Sequence, residues 1–269
     1  MTDDLTGAAL DARIEEIADE LYAARLAVAT VPYVSPRLPD GDLESAYRIS
    51  ELVADRRESE LGVQRIGRKV GLTNPLVQKR VGVFEPDYGI IHDDMIFASG
   101  AVLRGSAYHF LRIEAEVAFC LGQDIETPDL GVIRDSIEWI APAFEIVDFR
   151  YAGPVGRIVD TIADNAGCSG LVVGERTAYG AVDLPGAELV ITGGGAEITR
   201  GVGSNVLEDP VNAVQWLAAT AIRRGRPLRA GEILLSGSIG HIEPWPADVE
   251  CVATISGLGA VSATLDSKA

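Results

Sequence analysis

Cysteine is scarce in this sequence: Cys120, Cys168 and Cys251 lie far apart, with no CxxC pair. That spacing excludes a disulfide framework and a thiolate zinc site. Histidine is as sparse, and His92, His109 and His241 form no HxxxH or HExxH pair. A bound metal would therefore have to be held by oxygen. The only lysines are Lys69, Lys79 and Lys268. Positive charge is also short overall: 23 Lys and Arg against 40 Asp and Glu give a formal charge of -17. A phosphate backbone demands a basic face, so nucleic acid is excluded as a partner. No unbroken apolar stretch reaches about 18 residues, which excludes a membrane-spanning helix. The acidic opening MTDDLTGAALDARIEE lacks the basic-then-apolar signature of a secretory signal, so the expected location is cytoplasmic.

What is present suits one large domain, or one with a small appendage: 269 residues, of which 47% are hydrophobic. Leu10, Ile14, Ile17, Leu21 and Ala24 recur at helical spacing and predict a helix over 8–29. Pro32, Pro36 and Pro39 break the chain, Asp40-Gly41-Asp42 offers a turn and a cap, and a second helix is predicted over 42–59. Residues 1–64 thus read as a helical N-terminal region. Residues 65–269 read as a strand-rich catalytic domain, with strands predicted at 66–70, 102–104, 112–121, 171–174, 188–192, 233–236, 250–255 and 261–265. Gly193-Gly194-Gly195 reads as a hairpin turn, because no GK[ST] or helix follows as a phosphate loop would require. Helices are predicted over 133–140 and from Asp209-Pro210 to near Gly225. The expected class is α+β.

The strongest local signal is Arg112-Ile-Glu-Ala-Glu-Val-Ala-Phe119. Strand alternation places Glu114 and Glu116 on one face. They form either a solvated acidic face or the oxygen ligands of a divalent cation, which would let adjacent buried carboxylates coexist ionised. Glu145, inside the apolar run Ala141–Val147, adds a third carboxylate where a lone charge is seldom buried. Such a site calls for a nearby cation. Lys69, in Gly67-Arg-Lys-Val-Gly-Leu-Thr73, fits that need, and also fits a solvated lysine beside a turn. Asp87, in Phe84-Glu-Pro-Asp-Tyr-Gly89, reads equally as a turn aspartate and as a catalytic base.

The run Gly67–Gly89, GRKVGLTNPLVQKRVGVFEPDYG, closely resembles the matching segment of 2-keto-4-pentenoate (2-hydroxypentadienoate) hydratases of the fumarylacetoacetate hydrolase superfamily. IEAEVAF around Glu114, APAFEIVDFR around Glu145, VDTIADNAG from Val159, GSNVLEDPVNAVQWLA from Gly203 and LRAGEILLSGSIG from Leu228 extend the resemblance over nearly the whole chain, in order.

The resemblance implies a mixed β-roll or sandwich catalytic domain behind the N-terminal helices. It implies Mg2+ or Mn2+ held by Glu114, Glu116 and Glu145, with Lys69 and Asp87 at the family's acid/base positions. Arg68, Val81, Gly167, Ser169 and Ser236 become the candidate substrate-binding residues. The implied reaction is hydration of a 2-hydroxy-2,4-dienoate, through its 2-oxo-enoate tautomer, to a 4-hydroxy-2-oxoacid. A 4-oxalocrotonate-type decarboxylase, an acylpyruvate hydrolase, or a weakly catalytic structural subunit of a hydratase–decarboxylase complex are the alternatives. The expected assembly is a homo-oligomer, with a related decarboxylase or downstream aldolase as a possible partner.

Four departures from the family pattern bear on the substrate tail. Val81 replaces a common leucine, and Gly167 stands where serine is usual after ADNA. The Asp-Trp pair is missing after Arg150, and the segment His241–Pro246 is unusual. Gly167 is expected either to leave room for a longer distal substituent or to be compensated by Ser169 or water.

Overall fold

The computed structural model describes residues 7–81 and 83–269, and the side chains of Arg80 and Val81 lie outside the description. The chain opens with two helices, α1 (Ala8–Ala27) and α2 (Leu43–Leu61). Asp42 caps α2 by accepting from the Ser45 amide at 3.0 Å, and Gly62 ends it in the left-handed region. These helices do not stand apart from the strands. Ile14, Ile17 and Ile49 are fully buried and share one hydrophobic cluster with Phe144 and Val172 of the sheets.

The remaining elements follow in chain order: β1 (Arg65–Gly71), α3 (Pro75–Val81), β2 (Asp87–His92), β3 (Ile96–Ala98), β4 (Ala101–Arg104) and β5 (Arg112–Leu121). Next come α4 (Leu130–Ser136), β6 (Ile137–Val147), α5 (Ile158–Ala163), β7 (Cys168–Val173), β8 (Thr177–Ala178), β9 (Glu188–Gly193) and β10 (Ala196–Val202). The chain closes with α6 (Pro210–Arg223), β11 (Ile233–Leu235), β12 (Glu243–Pro244), β13 (Glu250–Ile255) and β14 (Gly259–Asp266).

Two sheets form. The larger, of nine strands, runs β2-β1-β11-β5-β6-β7-β3, with β12 beside β5 and β8 beside β6. The smaller, of five strands, runs β10-β9-β13-β14-β4. Pairing is mixed: β1 and β11 are parallel, whereas β1–β2, β11–β5 and β5–β6 are antiparallel. The arrangement is the expected α+β. Gly194 and Gly195, both at positive φ, make the tight β9–β10 turn.

One expectation is corrected. The helix predicted over 133–140 ends at Ser136, and Ile137 begins the eleven-residue strand β6. Asp129 caps α4 by accepting from the amides of Gly131 and Val132. Beyond Ser136 the run is apolar and carries Pro142, which a helix interior does not tolerate. The strand that carries Glu145 therefore begins before the apolar run Ala141–Val147. Among the described residues, no helix is long and apolar enough to cross a membrane.

Candidate metal centre and active site

Strand alternation on β1 separates two neighbouring cations. Lys69 turns toward the β5–β6 carboxylates, with Nζ 3.2 Å from Glu145 Oε1. Arg68 takes the opposite face, 3.9 Å from Glu232, and does not line the cavity. In the antiparallel register Lys69 faces Gly89 and Gly71 faces Asp87. Asp87 is thus the first residue of β2, not a turn residue, and is 2% exposed. A Cβ at Gly71 would collide with Asp87 Oδ1 and stand 3.1 Å from Lys69 Nζ. Glycine is what lets the ammonium and the carboxylate approach.

The β5–β6 register sets Glu114 directly opposite Glu145 and Glu116 opposite Ala143. Like charges facing across a ladder repel. Glu116 and Glu145 are fully buried, so water does not relieve them. The three carboxylates each offer an oxygen within 4.8 Å of the others. Among the described residues, one main-chain donor reaches them: the Gly237 amide donates to Glu116 Oε2 at 2.7 Å. Glu116 Oε1 and both Glu145 oxygens find no hydrogen-bond partner among the described residues. The Lys69 contact is an ion pair without hydrogen-bond geometry.

Protonation equilibria record this crowding. Burial and the facing Glu145 push the Glu114 carboxyl up to about 8. Glu116 is raised well above the ordinary range by burial and its two glutamate neighbours. Burial also raises Glu145, against the pull of Lys69. Burial alone would lower the Lys69 ammonium, but Glu145, Asp87 and Glu114 outweigh it and raise it. One ammonium cannot balance three carboxylates. Convergent, orphaned, all-oxygen donors fit a hard divalent cation.

Asp87 completes the inner end of the site. Burial raises its carboxyl above the ordinary value, and Lys69 and Thr161 offset this only in part. Thr161 Oγ1 lies 3.1 Å from Asp87 Oδ2 and 2.8 Å from the Ile158 carbonyl, and its single proton serves one of them. Asp87 Oδ1 is buried without a hydrogen-bond partner among the described residues. The sequence reading passed over Thr161 and Gly237, although both lie inside runs it quoted. Their roles depend on contacts made far along the chain.

Lys69, Asp87 and Glu114 line a cavity of about 880 Å3. His241, Ile242, Glu243 and Pro244 form part of its wall, so the unusual segment faces the site. Arg112, on the same strand face as Glu114, also lines it and has no ion-pair partner among the described residues. Alternation along β5 was signal enough to find it.

The other substrate-binding candidates fall elsewhere. Ser236 is fully buried, accepts from the Val117 amide at 3.1 Å and donates to the Gly237 carbonyl. Ser169 accepts from Arg150 and donates to the Asp148 carbonyl. Neither is brought to the cavity wall. Gly167 leaves no free room, because the Phe149 ring lies over it and takes the expected space. Val81 ends α3, and its side chain lies outside the described residues.

Known proteins resemble this chain over most of its length. The fumarylacetoacetate (FAA) hydrolase C-terminal family matches residues 69–266. A 2-keto-4-pentenoate hydratase of Paraburkholderia xenovorans (strain LB400) is 38% identical, covering 94% of this chain and 95% of that protein. A 2-hydroxyhexa-2,4-dienoate hydratase of Comamonas testosteroni is 36% identical, covering 93% and 96%. Among solved structures, 4-oxalocrotonate decarboxylase from Pseudomonas putida G7, complexed with magnesium and adipate, superposes with a TM-score of 0.90 at 27% identity, covering 95% of this chain and 98% of that one. With the family pattern matching residues 69–266 and relatives alike over nearly the full length, this chain belongs to the fumarylacetoacetate hydrolase family.

Proposed function

We propose that this protein is a divalent-metal-dependent hydro-lyase that hydrates 2-hydroxy-2,4-dienoates to 4-hydroxy-2-oxoacids. The observation that carries the reading is the convergence of Glu114, Glu116 and Glu145 with Lys69 and Asp87 at the inner end of one cavity. The relatives named as hydratases support it. Glu114, Glu116 and Glu145 would hold the cation, and the all-oxygen set favours Mg2+ or Mn2+. When bound, that ion supplies a Lewis acid for the oxygen-rich end of a 2-oxo acid.

The chain's own groups do the proton work. Ketonisation moves the 2-hydroxyl proton to the distal dienoate carbon and leaves a 2-oxo-3-enoate. Water oxygen then bonds to carbon 4, and a proton adds to carbon 3. Asp87, poised by burial to hold a proton at Oδ1 or release it, is the residue for these transfers. Lys69 keeps its charge beside Glu145 and offsets negative charge building on the substrate. Thr161 Oγ1 lies beside Asp87 Oδ2, and Oδ1 lies on the Lys69 and Gly71 side. Incubation with 2-hydroxypenta-2,4-dienoate and Mg2+, with the product identified by NMR, tests the reading. 4-Hydroxy-2-oxopentanoate is the expected product, and an unchanged dienoate rejects it.

One observation favours a second reaction at this site. The Arg112 guanidinium, without an ion-pair partner among the described residues, suits a second carboxylate, as on a 2-oxo-3-enedioate that loses CO2. The structurally similar decarboxylase is complexed with the dicarboxylate adipate. Release of CO2 from such a substrate, measured beside hydration, separates the two. Exposed Leu76, Phe84 and Val102 support a homo-oligomer as the working form, which sedimentation tests.

A further inference from the structure

The cavity exceeds the needs of an unsubstituted five-carbon acid. Its volume of about 880 Å3 falls in the range of pockets for much larger ligands, roughly 300–1,000 Å3. Beyond the carboxylates it has two different walls. Glu243 and Arg112 bring charge along β12 and the start of β5, with His241 also on the lining. A second stretch of the lining, from the end of β6, where Val147 pairs with Arg112, through the loop to the turn before β7, is apolar: Val147, Phe149, Tyr151, Val155 and Ala166.

Phe149 is seated by an uncommon piece of backbone. Asn165, Ala166 and Gly167 all take positive φ, at 57°, 50° and 75°. Two of them are not glycine, so the turn is strained. The Asn165 side chain holds it: Oδ1 accepts from the Ile90 amide at 2.6 Å, and Nδ2 donates to the carbonyls of Ile90 and Cys168. The turn places Gly167 beneath the Phe149 ring. A Cβ there would lie 2.5 Å from Cζ and 2.9 Å from both Cε atoms. The missing side chain at 167 is what lets the ring lie back against the turn. Any side chain would lift it.

We propose that Phe149, seated on Gly167, is a specificity-determining residue that packs against an uncharged, apolar substituent at the distal end of the substrate. The ligand class is an alkyl- or aryl-substituted 2-hydroxydienoate. The proposal rests on the hydratase reading for the reaction, and on the wall itself for the tail.

The test compares kcat/KM for dienoates of five, six and seven carbons, and for one ending in a carboxylate. The proteins are wild type, Phe149→Ala, Phe149→Leu and Gly167→Ser, each checked for cooperative melting. In parallel, calorimetry measures binding of saturated 2-oxo acids of matching length to the metal-loaded proteins. Wild type should gain about fourfold per added methylene, the worth of one buried CH2, mainly through KM. That gain should vanish in Phe149→Ala, persist in part in Phe149→Leu, and fall in Gly167→Ser. Length ratios within twofold of wild type in both Phe149→Ala and Gly167→Ser would overturn the proposal, as would a carboxylated tail preferred tenfold over an alkyl one. If nothing is hydrated while binding still strengthens with tail length through Phe149, the reaction assignment fails and the wall survives.

Discussion

Glu116 and Glu145 are carboxylates cut off from water, and the described protein donors leave most of their oxygens unmet. Folding such a group is costly unless something positive arrives. Glu116→Gln should therefore weaken Mn2+ binding by at least about 100-fold, beyond the usual cost of altering an outer-shell group. Calorimetric titration of the metal-free protein checks this. Glu114→Gln should do the same to affinity yet raise the melting temperature of the metal-free protein at neutral pH, because it removes a carboxyl that must take up a proton to be buried opposite Glu145. Asp87→Asn should lower kcat at least about 100-fold while leaving Mn2+ affinity nearly intact. Gly71→Ala carries no ionisable group, but its Cβ collides with Asp87 Oδ1. It should lose activity to a similar degree, measured in the same assay. A near-normal rate in either variant would remove Asp87 from the chemistry.

At the scale of elements, the site is a product of register. β1 brings Lys69 and Gly71 opposite Gly89 and Asp87, and the β5–β6 ladder brings Glu114 opposite Glu145. Alternation along 112–121 was enough to put Glu114 and Glu116 on one face, because a strand's period is legible in sequence. The cross-strand partner was not, since nothing local specifies which residue of another strand lies opposite. The region 133–140 misled for a related reason: an apolar run fits both periods until the cap at Asp129 and Pro142 divide it. Phe149 and Gly167 were illegible as a pair because their contact is made by a turn whose φ values no pattern announces. Ser236 shows the same limit. β11 ends at Leu235, and the Ser236 hydroxyl takes over the Val117 amide that the strand would have satisfied. Ser236→Ala should cost about 1–3 kcal/mol of stability, the penalty for an orphaned buried donor. Urea unfolding measures it, and KM should not move.

Across the whole molecule, acid outnumbers base, and most arginines are consumed by carboxylates at the surface. The N-terminal helices are joined to the site by packing: Tyr47 of α2 stacks on Tyr88 of β2 with ring centroids 4.7 Å apart. On the same helix, Arg57 Nη1 meets His92 Nδ1 at 2.9 Å. A guanidinium only donates, so Nδ1 accepts and the imidazole is neutral. Burial, then Arg57, Arg65 and Arg25, push His92 down to about 3. The unfolded chain takes that proton near its ordinary value of about 6.5. Stability from this group is therefore fully present above pH ~6.5 and drains away as pH falls toward about 3. In His92→Gln the difference between urea midpoints at pH 7 and pH 5 should shrink, and an unchanged difference would mean His92 is charged in the fold. The most direct test of the whole account is turnover of 2-hydroxypenta-2,4-dienoate by protein verified to be metal-free, before and after Mg2+ or Mn2+ is restored. The account predicts no hydration before and 4-hydroxy-2-oxopentanoate after, with Glu145→Gln inactive in both. Full hydration by the metal-free protein would contradict it.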